Sequence, residues 1–138
     1  MKSLIAAVLA ALENDSSLKS LAPGGVHAGR APAGAGMPFV VVTYRASARG
    51  ECDTAGTTVS PARMEFEIFA SSASSAADAA QRVLAVFKSS PPLLETGACL
   101  SAAAVTDSLR IEAGAGPEGE NVWRAAVEIE FLIERPAP

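Results

Sequence analysis

Two stretches of strict alternation constrain this chain more than any other feature. In Ala62 to Ala70, the residues Met64, Phe66, Ile68 and Ala70 take one parity, while Arg63, Glu65 and Glu67 take the other. Successive strand residues point to opposite faces, so this spacing predicts a strand with one buried side and one wet side. Val122 to Glu134 repeats the pattern. Trp123, Val127, Ile129, Phe131 and Ile133 face inward; Arg124, Glu128, Glu130 and Glu134 face outward; Leu132 is the exception. Such strands must lay their apolar faces on another layer. Two helical stripes are available for that.

The first stripe is Leu4, Ile5, Val8 and Leu12, in a helix that Ser3 can cap and that runs to about Asn14 or Leu18. The second helix starts at Ser75-Ala76-Ala77-Asp78, a capping-box spacing with Asp in place of Glu, and runs to about Lys88. Its inner stripe is Ala76, Ala80, Val83, Leu84 and Phe87. Lys88 suits the negative end of the helix dipole, and Pro91-Pro92 prevents continuation. Phe39 to Tyr44 is β-branched and aromatic and reads as a strand covered on both faces. Residues 99–111 read as one further strand. The order helix, strand, strand, helix, strand, strand predicts an α+β fold. Its form is a four-stranded, mostly antiparallel sheet with two helices packed on one face, in a single domain spanning residues 1–138. Three stretches rich in glycine, proline and small residues, 22–38, 46–61 and 113–121, read as extended loops. The first reads as a flexible arm without regular structure.

Composition narrows the chemistry. With 138 residues, 49% hydrophobic and 19% charged, the chain can build one core without staples. Eleven basic against fifteen acidic side chains give a net charge of −4, which argues against a broad basic nucleic-acid face. The longest apolar run, Leu4 to Leu12, is about half of the ~20 residues needed to span a bilayer. It reads as a helix rather than a signal peptide, because Glu13-Asn14-Asp15 follows with no convincing cleavage site. Cys52 and Cys99 read as free thiols, with the cytoplasm as the default compartment.

Catalytic equipment is sparse. His27, the only imidazole, lies in a Gly/Pro-rich stretch and reads as a solvated loop residue, not a catalytic base. One histidine and two cysteines exclude a zinc site built from those ligands alone. Cys52-Asp53 has no nearby base. Gly114-Ala115-Gly116-Pro117-Glu118-Gly119 matches a dinucleotide-binding string, but it contains Pro117 and precedes a strand, so it is rejected. The expectation is no catalytic residue, no metal and no cofactor. One charge pattern stands out: Glu65, Glu67, Glu128 and Glu130 should share the polar face of the sheet, eased by Arg63 and Arg124. Its plain reading is a solvated face; its functional reading is a surface that must not adhere to a polyanion.

The whole layout resembles the tail-completion, or tail-terminator, family of long-tailed bacteriophages. Leu4 to Leu12 looks like that family's N-terminal helix. Val26-His27, Ala31-Pro32-Ala33-Gly34 and Met37-Pro38-Phe39-Val40-Val41 look like its segment of loop, small residues, proline and apolar strand. Met64 to Ala70 followed by Ala76 to Phe87 is similar to its strand-to-helix unit, and Trp123-Arg124 leading to Val127–Phe131 to its closing strand. The tyrosine or phenylalanine often found near Val26-His27 is absent. The resemblance covers roughly residues 3–134. It implies a structural virion protein of the tail or neck, assembled in the host cytoplasm, and not an enzyme. It implies a homo-oligomeric ring, typically a hexamer, that caps the tail tube, halts polymerisation of the major tail tube protein and offers a surface to the head–tail connector. DNA would pass through the lumen without specific binding, with Glu65, Glu67, Glu128 and Glu130 as a candidate lumen-facing patch, and no membrane would be involved. The alternatives are a small α+β ligand-binding or regulatory domain, which needs a concave apolar pocket, and another head–tail adaptor protein.

Overall fold

The computed structural model describes residues 2–47, 51–52, 57–95, 97–113 and 119–136. Helices α1 (Lys2–Glu13) and α2 (Ser16–Leu21) precede strands β1 (Val26–Ala28), β2 (Phe39–Ser47), β3 (Glu51–Cys52) and β4 (Thr57–Ala70). Helix α3 (Ala73–Ser89) and strands β5 (Ala98–Glu112) and β6 (Val122–Pro136) complete the order. The fold is α+β and its sheet mostly antiparallel, as the alternation predicts. The strand order is β1-β2-β4-β6-β5, with β3 paired on β4 beyond the end of β2. Among the described residues this makes six strands and three helices, where the sequence reading expects four and two.

Central to the sheet is the β4–β6 pair, which runs antiparallel without a break from Thr57 opposite Pro136 to Ala70 opposite Trp123. Its inner parity places Met64, Phe66, Ile68, Ile129, Phe131 and Ile133 in the core, each essentially without solvent exposure. Helix α3 lays Ala76, Ala79, Val83 and Phe87 on them. Phe66, Phe87 and Phe131 form an aromatic triad, with ring centroids 5.6, 6.5 and 5.3 Å apart. From α1, Leu4, Val8 and Leu12 are fully buried, and Leu18 of α2 joins them. Leu84, expected inside, is only half-buried, because it lies on the flank of α3 towards the outermost strand β5.

Several boundaries differ from the sequence reading, each for a local physical reason. The first helix does not continue to Leu18. Asp15 interrupts it, and the Asp15 carboxylate caps α2 by accepting from the Leu18 N–H at 2.9 Å. The cap of α3 is Ser72, whose hydroxyl accepts from Ser75 N–H at 3.2 Å, so Ser75 lies inside the helix. Residues 22–38 contain strand β1, which pairs parallel with Val40–Val42. The segment is pinned at both ends. Gly24 N–H donates to Pro38 O, Val40 N–H to Gly25 O and Gly29 N–H to Val42 O, each at 2.9 Å. A Cβ at Gly24 would lie 1.7 Å from the Gly36 carbonyl oxygen, so only glycine lets the two passes approach this closely. Much of 46–61 is also strand: β2 reaches Ser47 and β4 begins at Thr57. Pro61 falls inside β4, at the interruption between its last β2 partner (at Ala62) and its first β3 partner (at Val59). A residue without an N–H is tolerated at such a break. The parts of the expected loops at 48–50, 53–56 and 114–118 lie outside the described residues, as does Asp53.

Two predictions follow from the packing. Phe131→Ala removes a ring from the centre of the triad and is expected to cost about 3–5 kcal/mol in urea unfolding. The second concerns Arg82 of α3, which grips the Asp15 carboxylate with Nε at 2.7 Å and Nη2 at 2.6 Å. The Arg82 hydrogen bonds hold the Asp15 carboxyl below its ordinary value; partial burial opposes them, and the Leu18 N–H and the guanidinium charge add to them. A depressed native pKa means stability that is present above the ordinary carboxylate range and lost as pH falls through the native value. Asp15→Asn keeps a capping oxygen but not the charge. It is therefore expected to lower stability near neutral pH and flatten the acid limb of stability against pH, read by denaturant titrations from pH 7 to 2.

Candidate functional site

The sheet face away from the helices carries the charges. Parity on β4 places Arg63, Glu65, Glu67 and Phe69 on this face. The register sets Glu130 opposite Arg63, Glu128 opposite Glu65, Ala126 opposite Glu67 and Arg124 opposite Phe69. All four candidate carboxylates are therefore brought together, and Glu65 and Glu128 confront each other directly. Directly opposed like charges destabilise a strand pair. Two arginines answer them from either end. Arg63 Nε donates to Glu130 Oε2 at 3.0 Å, and its Nη1 lies 3.7 Å from Glu128 Oε1. Arg124 Nε donates to Glu67 Oε2 at 2.5 Å, and its Nη2 lies 3.8 Å from Glu65 Oε1. Four carboxylates and two guanidiniums leave this strip with two net negative charges. The strip is more enclosed than an ordinary solvated face: the Arg124 side chain is only 13% exposed and Glu65 20%.

At one end of the same face lies an aromatic cluster. Phe39 and Phe69 pair across β2 and β4, with their rings stacked at 5.2 Å. His27 on β1 meets Phe39 edge-on at 6.3 Å, and its Nε2–H donates to the Gly24 carbonyl at 2.8 Å. His27 is thus a half-buried strand residue that fastens the Gly24 turn, not the solvated loop residue the sequence suggests. The cluster had a sequence signal that the reading passed over: Phe69 falls on the charged parity of its strand.

Nothing in this arrangement aligns a nucleophile with a base. Cys99, on β5, is a half-buried free thiol whose pKa burial pushes up, with the Ser101 carbonyl contact opposing; a raised pKa leaves little reactive thiolate. Among the described residues no three His, Cys, Asp or Glu side chains gather as a metal site. Among them, too, no helix is long and apolar enough to cross a membrane. The concavities beside α3 are troughs between the helix and β5, lined chiefly by Ala77, Ala80, Gln81, Leu84, Leu109 and Val127.

The charge strip makes a direct prediction. Arg124→Met should leave Glu65 and Glu67 without their cation and lower stability by about 1–2 kcal/mol. Raising the salt concentration should recover part of that loss, because the remaining repulsion is screened. Urea unfolding at low and high ionic strength checks both.

Comparison with known proteins gives the geometry its context. The family described as "Tail completion protein gp17" matches residues 6–134. No curated protein sequence matches the chain. A chain in a structure titled "Virion of native gene transfer agent (GTA) particle" superposes with a TM-score of 0.72 at 18% identity, covering 96% of both chains. The structure titled "Structure of bacteriophage SPP1 gp17 protein" superposes with a TM-score of 0.59 at 19% identity, over 94% of this chain and 88% of that one. At such identities the superpositions speak for the fold alone, whereas the family match spans nearly the whole chain. This protein belongs to the tail completion protein gp17 family, structural proteins of the phage virion tail.

Proposed function

We propose that copies of this chain close into a ring, a hexamer on the family resemblance, that caps the finished tail tube. Seated there, the ring ends polymerisation of the major tail tube protein and presents its far side to the head–tail connector. The observation that carries this reading is the family match over residues 6–134, joined to a sheet whose two faces differ completely in character. Helices cover one face. No described helix covers the other, which presents Glu65, Glu67, Glu128 and Glu130, cross-linked by Arg63 and Arg124.

In a ring whose strands run along the tail axis, one face of every sheet turns to the lumen. Turned inward, the four-glutamate strip contributes two net negative charges per copy to the channel wall. A phosphate backbone passing such a strip is repelled, and Arg63 and Arg124 are already occupied by carboxylates rather than open to phosphate. That is what a conduit for a genome requires.

Two measurements test the reading. Light scattering on the purified protein, alone and added to tails that lack it, should show a closed oligomer and a cap at the head-proximal end in electron microscopy. Density at the distal tip or within the tube wall overturns it. For the lumen, particles carrying Glu128→Lys together with Glu130→Lys should assemble in normal number yet release their genome more slowly. Unchanged release places the strip elsewhere.

A further inference from the structure

The strand β5 has an outer edge that no described strand pairs. Its ladder with β6 is interrupted by bulges at Cys99/Ser101 and Ala104/Thr106, then runs in unbroken register from Thr106 to Glu112. Within this regular run Leu109 and Ile111 point to the helix side and remain 45% and 46% exposed. A long free edge carrying exposed aliphatic side chains is a surface that pairs with another strand.

The opposite edge of the same sheet supplies a match. Its outermost strand is β1, and the register chain across the sheet puts it at one level with the regular run of β5. Ser108 pairs with Ala126, Ala126 with Glu67, Glu67 with Val41 and Val41 with His27. By the same steps Leu109 is level with Val26 and Asp107 with Ala28. Direction matches too. β1 runs parallel to β2, while β2, β4, β6 and β5 alternate, so β1 and β5 point opposite ways. Rotating a copy about an axis parallel to the strands preserves those directions. β5 of one copy then meets β1 of the next as an antiparallel neighbour, and every copy turns the same face to the axis. Beside β1, on the helix side, lies a small groove of ≈ 110 Å³ lined by Leu12, Leu18, Ala22, Gly25 and Val26, with Glu13 and Lys19 at its rim. Leu109 and Ile111 project from β5 on that same side. Asp107, which has no ion-pair partner among the described residues, lies on it as well.

We infer that the subunit contact of the assembly is a strand addition between β5 of one copy and β1 of the next, with Leu109 seated in the neighbour's groove beside Val26. This inference rests on the ring reading above. The contact is heterologous, donor edge against acceptor edge, and repeats until rotation closes it. It leaves the carboxylate face of each sheet on the same side of a continuous wall.

The test separates the contact from the ring. Paired antiparallel strands bring facing Cα atoms to about 4.5–5.5 Å, within disulfide reach. In a chain with both native cysteines changed to serine, Ser108→Cys combined with His27→Cys should oxidise to a ladder of covalent oligomers. Arg110→Cys with His27→Cys reports a two-residue stagger, and a ladder from either pair supports the contact. Each single cysteine should give no species beyond a dimer. Leu109→Glu should convert the oligomer to a monomer that still folds and unfolds cooperatively, since that side chain is already half exposed in the single subunit. Leu93→Glu, at the most exposed large apolar side chain among the described residues (91%) and away from this edge, should keep the oligomer intact. A wild-type ring that survives Leu109→Glu, gives no ladder from either pair, or falls apart equally with Leu93→Glu overturns the contact and leaves the ring standing. A wild type that is monomeric both alone and on tails overturns the ring and the contact together.

Discussion

The long β4–β6 pairing is the constraint from which the rest of the structure follows. Because side chains alternate with a period of two, a single register between these strands sorts Met64, Phe66, Ile68, Ile129, Phe131 and Ile133 to one side and every charged partner to the other. A slip of one residue would turn the aromatic core towards water and drive four carboxylates beneath α3. Burial of Phe66 and Phe131 therefore sets the register, and the register in turn places Glu65 against Glu128. That confrontation is tolerated because Arg63 and Arg124 flank it at the distances observed.

The helical layer is held to this sheet by two different means. Alanines along α3 allow it to sit close on the sheet, with Phe87 as its one large anchor. The α1–α2 corner is fixed by a polar clamp instead: Asp15 caps α2 and at the same time receives the Arg82 guanidinium from α3. One carboxylate thereby starts α2 and fastens it to α3. The layer covers β5 only in part, and this leaves open troughs along it and exposed leucine and isoleucine side chains. For a protein of a virion tail, where neighbours cover surfaces, such an incomplete body is the expected form.

Much of the architecture was legible in local pattern. The inner parities of Ala62–Ala70 and Val122–Glu134, the helical stripes and the sharing of one face by the four glutamates are all local or nearly local facts, and they hold except at the flanks of the stripes, where Ile5 and Leu84 are only half-buried. What could not be read was the work of contacts distant along the chain. Strand β1 has three residues and no periodicity of its own; it exists because Gly24 and Gly36 let two passes of backbone touch, bringing Val26–Ala28 beside Val40–Val42. Pro61 read as the last residue of the 46–61 loop, yet it lies inside β4, where it is accommodated because β4 changes partner there.

By itself, then, the amino-acid sequence determined which residues are buried and which face water, because alternation and helical spacing act within a few residues. It also carried the family kinship, in the order of its segments. Only the tertiary structure decided the strand order, the opposition of Glu65 and Glu128, the position of His27 edge-on to Phe39 and the levelling of the two outermost strands, β1 and β5. These depend on which strand lies beside which, a choice made by loop closure and core packing summed over the whole domain, and no single segment encodes it.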